Sequence, residues 1–130
     1  MRKQRNSKQR QIILDAVTAR CDHPTADQIY LDVRAKDDKI SRGTVYRNLG
    51  ILSKNDEITN VKVPAADRYD SRIDRHYHIF CTNCDKVFDA PLGYHAEYDA
   101  QMEQETGFRI DRHRLIFEGL CPDCKNKIEK

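Results

Sequence analysis

The sequence predicts an α+β fold made of two small domains, residues 1–69 and 70–130. Helical patterns fill the first half, and short β-prone segments become frequent after Asp70. The charge also differs: residues 1–55 carry 12 Lys/Arg and 6 Asp/Glu, a net of +6, whereas residues 56–130 carry 11 and 15, a net of −4. Domains of this size have marginal hydrophobic cores, so we expect an additional stabilising element within the fold.

The composition indicates a soluble protein without a membrane span. Charged residues make up 34% of the chain, and no apolar run approaches the roughly 20 residues that a span requires. The N-terminal stretch MRKQRNSKQRQ has no apolar run that could serve as a signal peptide. We therefore expect a cytoplasmic protein, in which the five cysteines favour metal binding because the cytosol keeps thiols reduced.

The first domain has the pattern of a winged helix-turn-helix. A first helix is expected from a cap at Ser7 to about residue 20, and a second begins with the capping box of residues 25–28. A third runs from a cap at Ser41 to about residue 55. The β-prone segment ITNVKVPAADRY follows with a central turn, so the order of elements predicts an N-terminal winged helix-turn-helix domain.

One face of the third predicted helix is basic and aromatic, and it contains glycine. Arg47 can contact a guanine edge or a phosphate, Tyr46 can pack on a thymine methyl, and Gly43 lets the backbone approach a duplex. Exposed Tyr and Arg are often ordinary surface residues, but the positive charge of this half favours binding of double-stranded DNA. The candidate DNA-contacting residues are Ser41, Arg42, Gly43, Thr44, Tyr46 and Arg47.

The second half has the pattern of a small α/β domain. A helix is expected over about residues 94–106, with Gly107 closing its C-terminal end. The expected strands cover about residues 76–80, 87–89, 108–110 and 115–117.

Four cysteines have the spacing of a structural zinc site. Cys81-x-x-Cys84 and Cys121-x-x-Cys124 are separated by 36 residues, and two such pairs supply the four thiolates of a tetrahedral ion. Such an ion would contribute to folding. A redox dithiol pair and plain buried cysteines are the alternatives. Cys21 has no partner in this scheme, so we expect it to be a small buried hydrophobe.

A second constellation lies beside the first cysteine pair, in the stretch DRHYHIFCTNC. In an extended strand His76 and His78 point to one face, whereas Cys81 has the other parity, so two separate metal sites are expected. Asp70 and Asp89 can add oxygen ligands, and a mixed nitrogen and oxygen set suits iron, manganese, nickel or zinc. Ordinary surface histidines and solvated aspartates are the alternative reading.

With these residues assembled, the chain resembles the ferric uptake regulator family of metal-dependent transcriptional repressors. The resemblance implies a homodimer whose winged helix binds a palindromic operator, and a small α/β dimerisation domain with a structural zinc site of four cysteines. It also adds His23 to the regulatory metal ligands Asp70, His76, His78 and Asp89. The stretches that carry the resemblance are RQIIL, HPTADQIY, ISRGTVYRNL, RYD, HYHIFCTNCDKVFD, TGF and FEGLCPDC.

The pattern at the regulatory site looks most like the peroxide-sensing branch of that family. In that branch ferrous iron reacts with hydrogen peroxide, a ligand histidine is oxidised and DNA is released, which makes His23 and His78 the candidates for oxidation. The expected regulatory ion is iron or manganese, and zinc or nickel can substitute in vitro. The alternatives are an iron- or zinc-uptake repressor on the same scaffold, a metalloenzyme, and a constitutive zinc-stapled interaction module.

Several residues depart from the family pattern. Arg75 and Tyr77 stand beside the histidine pair, where the resemblance implies ligands of a third metal site. Arg42 adds a positive charge near the start of the third helix. Asp85 follows Cys84 in the zinc knuckle, the turn formed by the Cys81-x-x-Cys84 pair, where the family usually has glycine. Aspartate tolerates a left-handed backbone better than most residues. The residues that could still gather a weaker third ion are His95, Glu97 and His113.

Overall fold

The computed structural model describes residues 2–128, with side chains from residue 8 onward. The chain divides into two compact units, Met1–Ile73 and Asp74–Lys130. The boundary lies four residues beyond the predicted one at 69/70. The helices are α1 (Arg2–Thr18), α2 (Ala26–Arg34), α3 (Arg42–Lys54), α4 (Ala96–Thr106) and α5 (Pro122–Ile128). The strands are β1 (Thr59–Val61), β2 (Arg68–Asp70), β3 (His78–Cys81), β4 (Val87–Asp89) and β5 (Ile116–Gly119).

The first unit packs helices α1–α3 against an antiparallel hairpin of β1 and β2. Its core is an apolar cluster drawn from all three helices and from the hairpin. This arrangement confirms the predicted winged helix-turn-helix. The cluster residues are Ile13, Ala16, Val17, Ile29, Val33, Ile40, Val45, Leu49, Leu52, Ile58 and Tyr69.

Two predicted caps fix where α2 and α3 begin. Thr25 Oγ1 accepts a hydrogen bond from the N–H of Gln28 at 3.2 Å, and Gln28 Oε1 accepts one from the N–H of Thr25 at 2.9 Å. Ser41 Oγ accepts from the N–H of Thr44 at 3.1 Å. These bonds satisfy backbone N–H groups that the first turn of a helix leaves unpaired. The residue at which α3 begins in turn determines which of its side chains lie on its outer face.

Two expectations for the N-terminal part of the chain were wrong. Helix α1 begins at Arg2 and passes through Ser7, because residues 2–6 contain neither Gly nor Pro to stop it. Ser7 is therefore not the N-cap. Cys21 is exposed rather than buried, because it follows the end of α1 and lies beyond the apolar stripe that this helix turns toward the core.

The second unit contains a sheet of strand order β4-β3-β5. Strands β3 and β4 are antiparallel and place His78 opposite Asp89, whereas β3 and β5 are parallel. The predicted strand at residues 108–110 is not formed. Both edges of β3 are already paired with other strands, and Phe108 is 70% exposed, so this segment has no buried face.

The helices of the second unit differ from the prediction at their ends. Helix α4 begins at Ala96, two residues after the predicted start, and Gly107 ends it with a φ of 76° as expected for a glycine. Helix α5 was not predicted, and it carries Cys124. No helix within residues 2–128 is both long enough and apolar enough to cross a membrane.

Candidate metal centres and nucleic-acid interface

The four cysteines of the two pairs converge in the second unit. Their Sγ atoms all lie within 4.8 Å of one another, and those of Cys84 and Cys121 are 3.9 Å apart. A tetrahedral zinc with Zn–S bonds of about 2.3 Å separates its sulfur atoms by about 3.8 Å. The donor set and its size therefore fit a structural zinc ion, and the predicted four-cysteine cluster is confirmed.

Backbone N–H groups at the zinc knuckle stabilise the thiolate form of Cys81. The N–H groups of Cys121 and Cys84 donate to Cys81 Sγ at 3.4 and 3.5 Å, and these bonds lower the pKa of Cys81 to about 6. Asp85 closes the turn with a φ of 62°, the left-handed conformation that was predicted, and its N–H donates to the Cys81 carbonyl at 2.9 Å. A thiolate is the metal-binding form of cysteine, so the knuckle favours binding.

The raised pKa of Cys124 also shows why a cation is needed in this cluster. A hydrogen bond with the Asn83 side chain lowers the pKa of Cys124. Hydrogen bonds with Cys121 and the other thiols, together with burial, have the opposite and larger effect, and the pKa of Cys124 is raised to about 11. Once one thiol of the cluster has ionised, the next ionises reluctantly. A divalent ion removes that penalty by binding all the thiolates together.

His76 and His78 converge on one carboxylate of the second unit. The Nε2 atoms of His76 and His78 lie 3.0 and 3.6 Å from the same atom, Asp89 Oδ1, and the two rings are 4.4 Å apart. The pairing of His78 with Asp89 across β3 and β4 produces this arrangement. Both imidazoles are largely buried. Two imidazole nitrogens therefore lie beside one carboxylate oxygen, and a mixed nitrogen and oxygen donor set suits a metal ion.

His23 and Asp70 form a second donor pair, in the first unit. His23 Nε2 lies 3.2 Å from Asp70 Oδ2, and both side chains are largely buried. Strand β2 makes this contact possible, because the N–H of Tyr69 donates to the carbonyl of Pro24 at 2.9 Å and Arg68 Nη1 donates to the carbonyl of His23 at 3.2 Å. His23 has a φ of 54°, and such left-handed residues other than glycine are often functional.

The residues proposed for a weak third ion are engaged in other contacts. Tyr77 OH hydrogen-bonds to His113 Nε2 at 2.5 Å and accepts from the N–H of His95 at 3.0 Å. The other ring nitrogen of His113, Nδ1, lies 2.7 Å from Asp99 Oδ1, so both nitrogens have partners. His95 Nδ1 lies 2.6 Å from Glu97 Oε1. The third site stays a prediction, and these contacts do not support it.

Tyr94 closes this hydrogen-bonded network. Its hydroxyl donates to Asp99 and accepts from the N–H of His113 at 3.1 Å, and its ring stacks on the His113 ring at 4.5 Å. The guanidinium of Arg75 lies 5.6 Å from the Tyr94 ring. Arg75 and Tyr77, two of the departures from the family pattern, therefore both contact the same cluster, which connects the start of β3 to α4 and to the segment before β5.

The hydroxyl of Tyr77 should be important for the stability of the second unit. We expect Tyr77→Phe to lower the free energy of unfolding by about 1–3 kcal/mol, because the N–H of His95 loses its acceptor and Nε2 of His113 loses its partner. Chemical denaturation followed by circular dichroism measures this loss. Tyr98→Phe is the control, since Tyr98 is 49% exposed and its change should stay within about 0.5 kcal/mol. Equal losses in both variants would contradict the role of Tyr77.

The predicted DNA-contacting residues lie at the start and on the outer face of α3. Tyr46 and Arg47 are exposed, and Arg47 Nη2 donates to Thr44 Oγ1 at 3.4 Å. Sequence reasoning missed Asp27 of α2, whose Oδ1 accepts from Arg42 Nη1 and from Tyr46 OH, both at 2.5 Å. No spacing rule could have found this contact, because it depends on how α2 packs against α3.

A family model described as the ferric uptake regulator family matches residues 2–118. The chain belongs to the ferric uptake regulator family. Members of this family are metal-responsive transcriptional regulators, so the chain is a regulator rather than an enzyme, and the metalloenzyme alternative is wrong.

Individual members of the family are similar over most of their length. The chain is 33% identical over 120 residues to the peroxide operon regulator of Bacillus subtilis, covering 92% of this chain and 83% of that protein. It is 36% identical over 123 residues to a peroxide-responsive repressor of Staphylococcus saprophyticus, covering 92% and 81%. The crystal structure of the Campylobacter jejuni peroxide stress regulator superposes with a TM-score of 0.76 at 23% identity, covering 95% and 93%, which shows a shared fold.

Proposed function

We propose that the protein is a metal-dependent DNA-binding repressor that senses peroxide through a ferrous ion at one regulatory site. The observation that carries the proposal is the convergence of His76 and His78 on Asp89 Oδ1. The names of the Bacillus and Staphylococcus relatives, a peroxide operon regulator and a peroxide-responsive repressor, support peroxide as the signal. The proposed ligands are His23, Asp70, His76, His78 and Asp89.

The donor chemistry supports a clear division between two metals. The regulatory ligands offer imidazole nitrogen and carboxylate oxygen, which suit iron or manganese, with zinc or nickel as substitutes in vitro. The cysteine cluster offers soft thiolates, which suit zinc. We therefore propose a permanent structural zinc and an exchangeable regulatory ion.

The proposed ligands come from both units, and this division supports a mechanism. An ion bound at once by the His23 and Asp70 pair and by the His76, His78 and Asp89 group would hold the two units in one arrangement. Family members bind DNA as dimers, so in a homodimer that arrangement would set the spacing of the two α3 helices on a palindromic operator. We propose that this dimer acts in the cytoplasm.

The chain's own contribution to sensing would be to hold the imidazoles of His23, His76 and His78 next to the ion. When bound, a ferrous ion supplies the electron that splits hydrogen peroxide and so produces an oxidant at its ligands. By resemblance to the peroxide-sensing branch, His23 and His78 are the ligands that this oxidant would modify, and both side chains are largely buried. An oxidised imidazole is a poorer donor, and loss of the ligand would end the metal-dependent hold on DNA.

Binding of DNA at buffered free metal concentrations tests the proposal. A duplex is first selected from a random-sequence library with the manganese-loaded protein, and its affinity is then measured by fluorescence anisotropy. Ferrous or manganous ion should raise the affinity, and hydrogen peroxide should abolish binding only in the iron form. If peroxide leaves the iron form bound, peroxide is not the signal. A response to zinc alone would instead indicate an uptake repressor.

Arg47 should contribute to operator affinity if α3 enters the major groove. We expect Arg47→Ala to weaken binding to the selected duplex by about 1–3 kcal/mol, because a bidentate contact to a base edge is lost. Arg34→Ala removes an exposed guanidinium from the end of α2 and is the matched control. Similar losses for the two variants would mean that Arg47 contributes only its charge.

A further inference from the structure

Asp27 is an exposed carboxylate within the basic and aromatic face of the first unit. It lies in the first turn of α2, and its side chain is 61% exposed. One oxygen, Oδ1, accepts both from Arg42 Nη1 and from the hydroxyl of Tyr46. Arg42 and Tyr46 lie four residues apart on α3, so one carboxylate restrains two neighbouring side chains of the proposed DNA-binding face.

Arg42 is held on two sides. Its guanidinium carbon lies 4.5 Å from the centre of the Tyr30 ring, while its Nη1 donates to Asp27. The guanidinium is thus placed between an aromatic face and a carboxylate, both of which attract it. An arginine paired in this way is less available to a DNA phosphate than a free one.

Tyr46 is held in one orientation by the same carboxylate. The hydrogen bond with Asp27 raises the pKa of Tyr46, so the phenol stays protonated and remains a donor. Its ring is nevertheless half exposed, with its hydroxyl directed toward α2. A ring fixed in this way loses less conformational freedom when it packs against a base.

A carboxylate at this position repels phosphate, so its presence weakens binding to DNA of any sequence. We propose that Asp27 is a positioning residue for sequence recognition, because it fixes the Tyr46 ring and withholds Arg42 from non-specific phosphate contacts. Asp27 thereby raises the ratio of specific to non-specific affinity while lowering non-specific affinity itself. The inference rests on the proposed DNA-binding function of α3.

A purely structural role for Asp27 predicts different results. Its carboxylate also lies near the positive N-terminal end of α2, where an acidic residue stabilises a helix. In that case replacement would lower the melting temperature and leave the specificity ratio and the salt dependence of binding unchanged. These two readouts separate the alternatives.

The test compares the manganese-loaded 130-residue protein with its Asp27→Ala and Asp27→Asn variants. Affinities are measured for the selected duplex and for a scrambled duplex of the same composition, over a series of salt concentrations. We expect Asp27→Ala to raise affinity for the scrambled duplex about three- to ten-fold and to steepen the slope of log K against log salt by about 0.9, as expected for one more phosphate contact. The specific to non-specific ratio should fall.

Two further variants sharpen the result. Asp27→Asn removes the charge but keeps an acceptor for the Tyr46 hydroxyl, so it should retain more affinity for the selected duplex than Asp27→Ala. Asp38→Asn removes an exposed carboxylate elsewhere in the same unit and should leave the ratio unchanged.

Two results would overturn the inference at different levels. An unchanged ratio and salt slope in Asp27→Ala, with normal selection of a duplex by the wild-type protein, would overturn only the role of Asp27. Failure of the metal-loaded wild-type protein to select any duplex would overturn the proposed function together with it.

Discussion

Cys81→Ser is expected to remove zinc from the protein and to unfold the end of β3. Cys81 is buried, and its sulfur accepts the N–H groups of Cys84 and Cys121, so it joins the two halves of the cluster. Three thiolates and a hydroxyl cannot complete a tetrahedral thiolate site. Structural zinc contributes of the order of 10 kcal/mol to the folding of small zinc-stapled peptides, so the loss should be large. Elemental analysis and thermal unfolding of the purified protein measure it.

Cys21→Ser is the matched control for this experiment. It makes the same chemical change at a cysteine that is exposed and lies outside the cluster. Zinc content and the melting temperature should remain those of the wild-type protein. Full zinc content in Cys81→Ser would contradict the assignment of the cluster as a structural zinc site.

His23→Asn is expected to leave the fold intact and to weaken metal-dependent DNA binding at least ten-fold. Loss of groups that merely support metal ligands typically costs about 10–100-fold in metal affinity, and His23 is proposed as a ligand itself. Asparagine suits this position because His23 has a φ of 54°, which asparagine tolerates better than alanine. His23→Ala should show the same loss of binding together with a lower melting temperature. Anisotropy at buffered manganous ion measures the effect.

The control for His23 is a histidine outside the proposed regulatory ligands. His95→Ala removes an imidazole whose Nδ1 lies 2.6 Å from Glu97 Oε1, and metal-dependent binding should stay unchanged. An equal loss in both variants would indicate that a weak third ion contributes to regulation. Unchanged binding in His23→Asn would remove His23 from the regulatory site.

Local patterns predicted the elements that position the sites. The capping box at Thr25 and the cap at Ser41 are formed by residues close in sequence, so the starts of α2 and α3 could be predicted from short stretches. The two cysteine pairs carry a spacing that is specific to metal binding, and they do meet in the fold. Strand parity predicted that His76 and His78 share one side, and both approach Asp89, although β3 begins only at His78 and does not include His76.

The contacts that could not be predicted from the sequence join segments that are far apart along the chain. His23 and Asp70 meet because β2 runs beside the loop before α2, and only the family resemblance pointed to His23. The Tyr77 and His113 contact depends on how the segment before β5 folds back over β3. Cys21 was predicted to be buried because its residue type usually is, but its place after α1 leaves it exposed.

Peroxide is proposed to act through histidines of the regulatory site. Mass spectrometry of tryptic peptides from the iron-loaded protein, after brief exposure to low hydrogen peroxide, tests this proposal most directly. We predict the addition of one oxygen at His23 or His78 in step with the loss of DNA binding, and none in the manganese-loaded protein. Loss of DNA binding without oxygen at either histidine, or the same oxidation in the manganese form, would contradict the account.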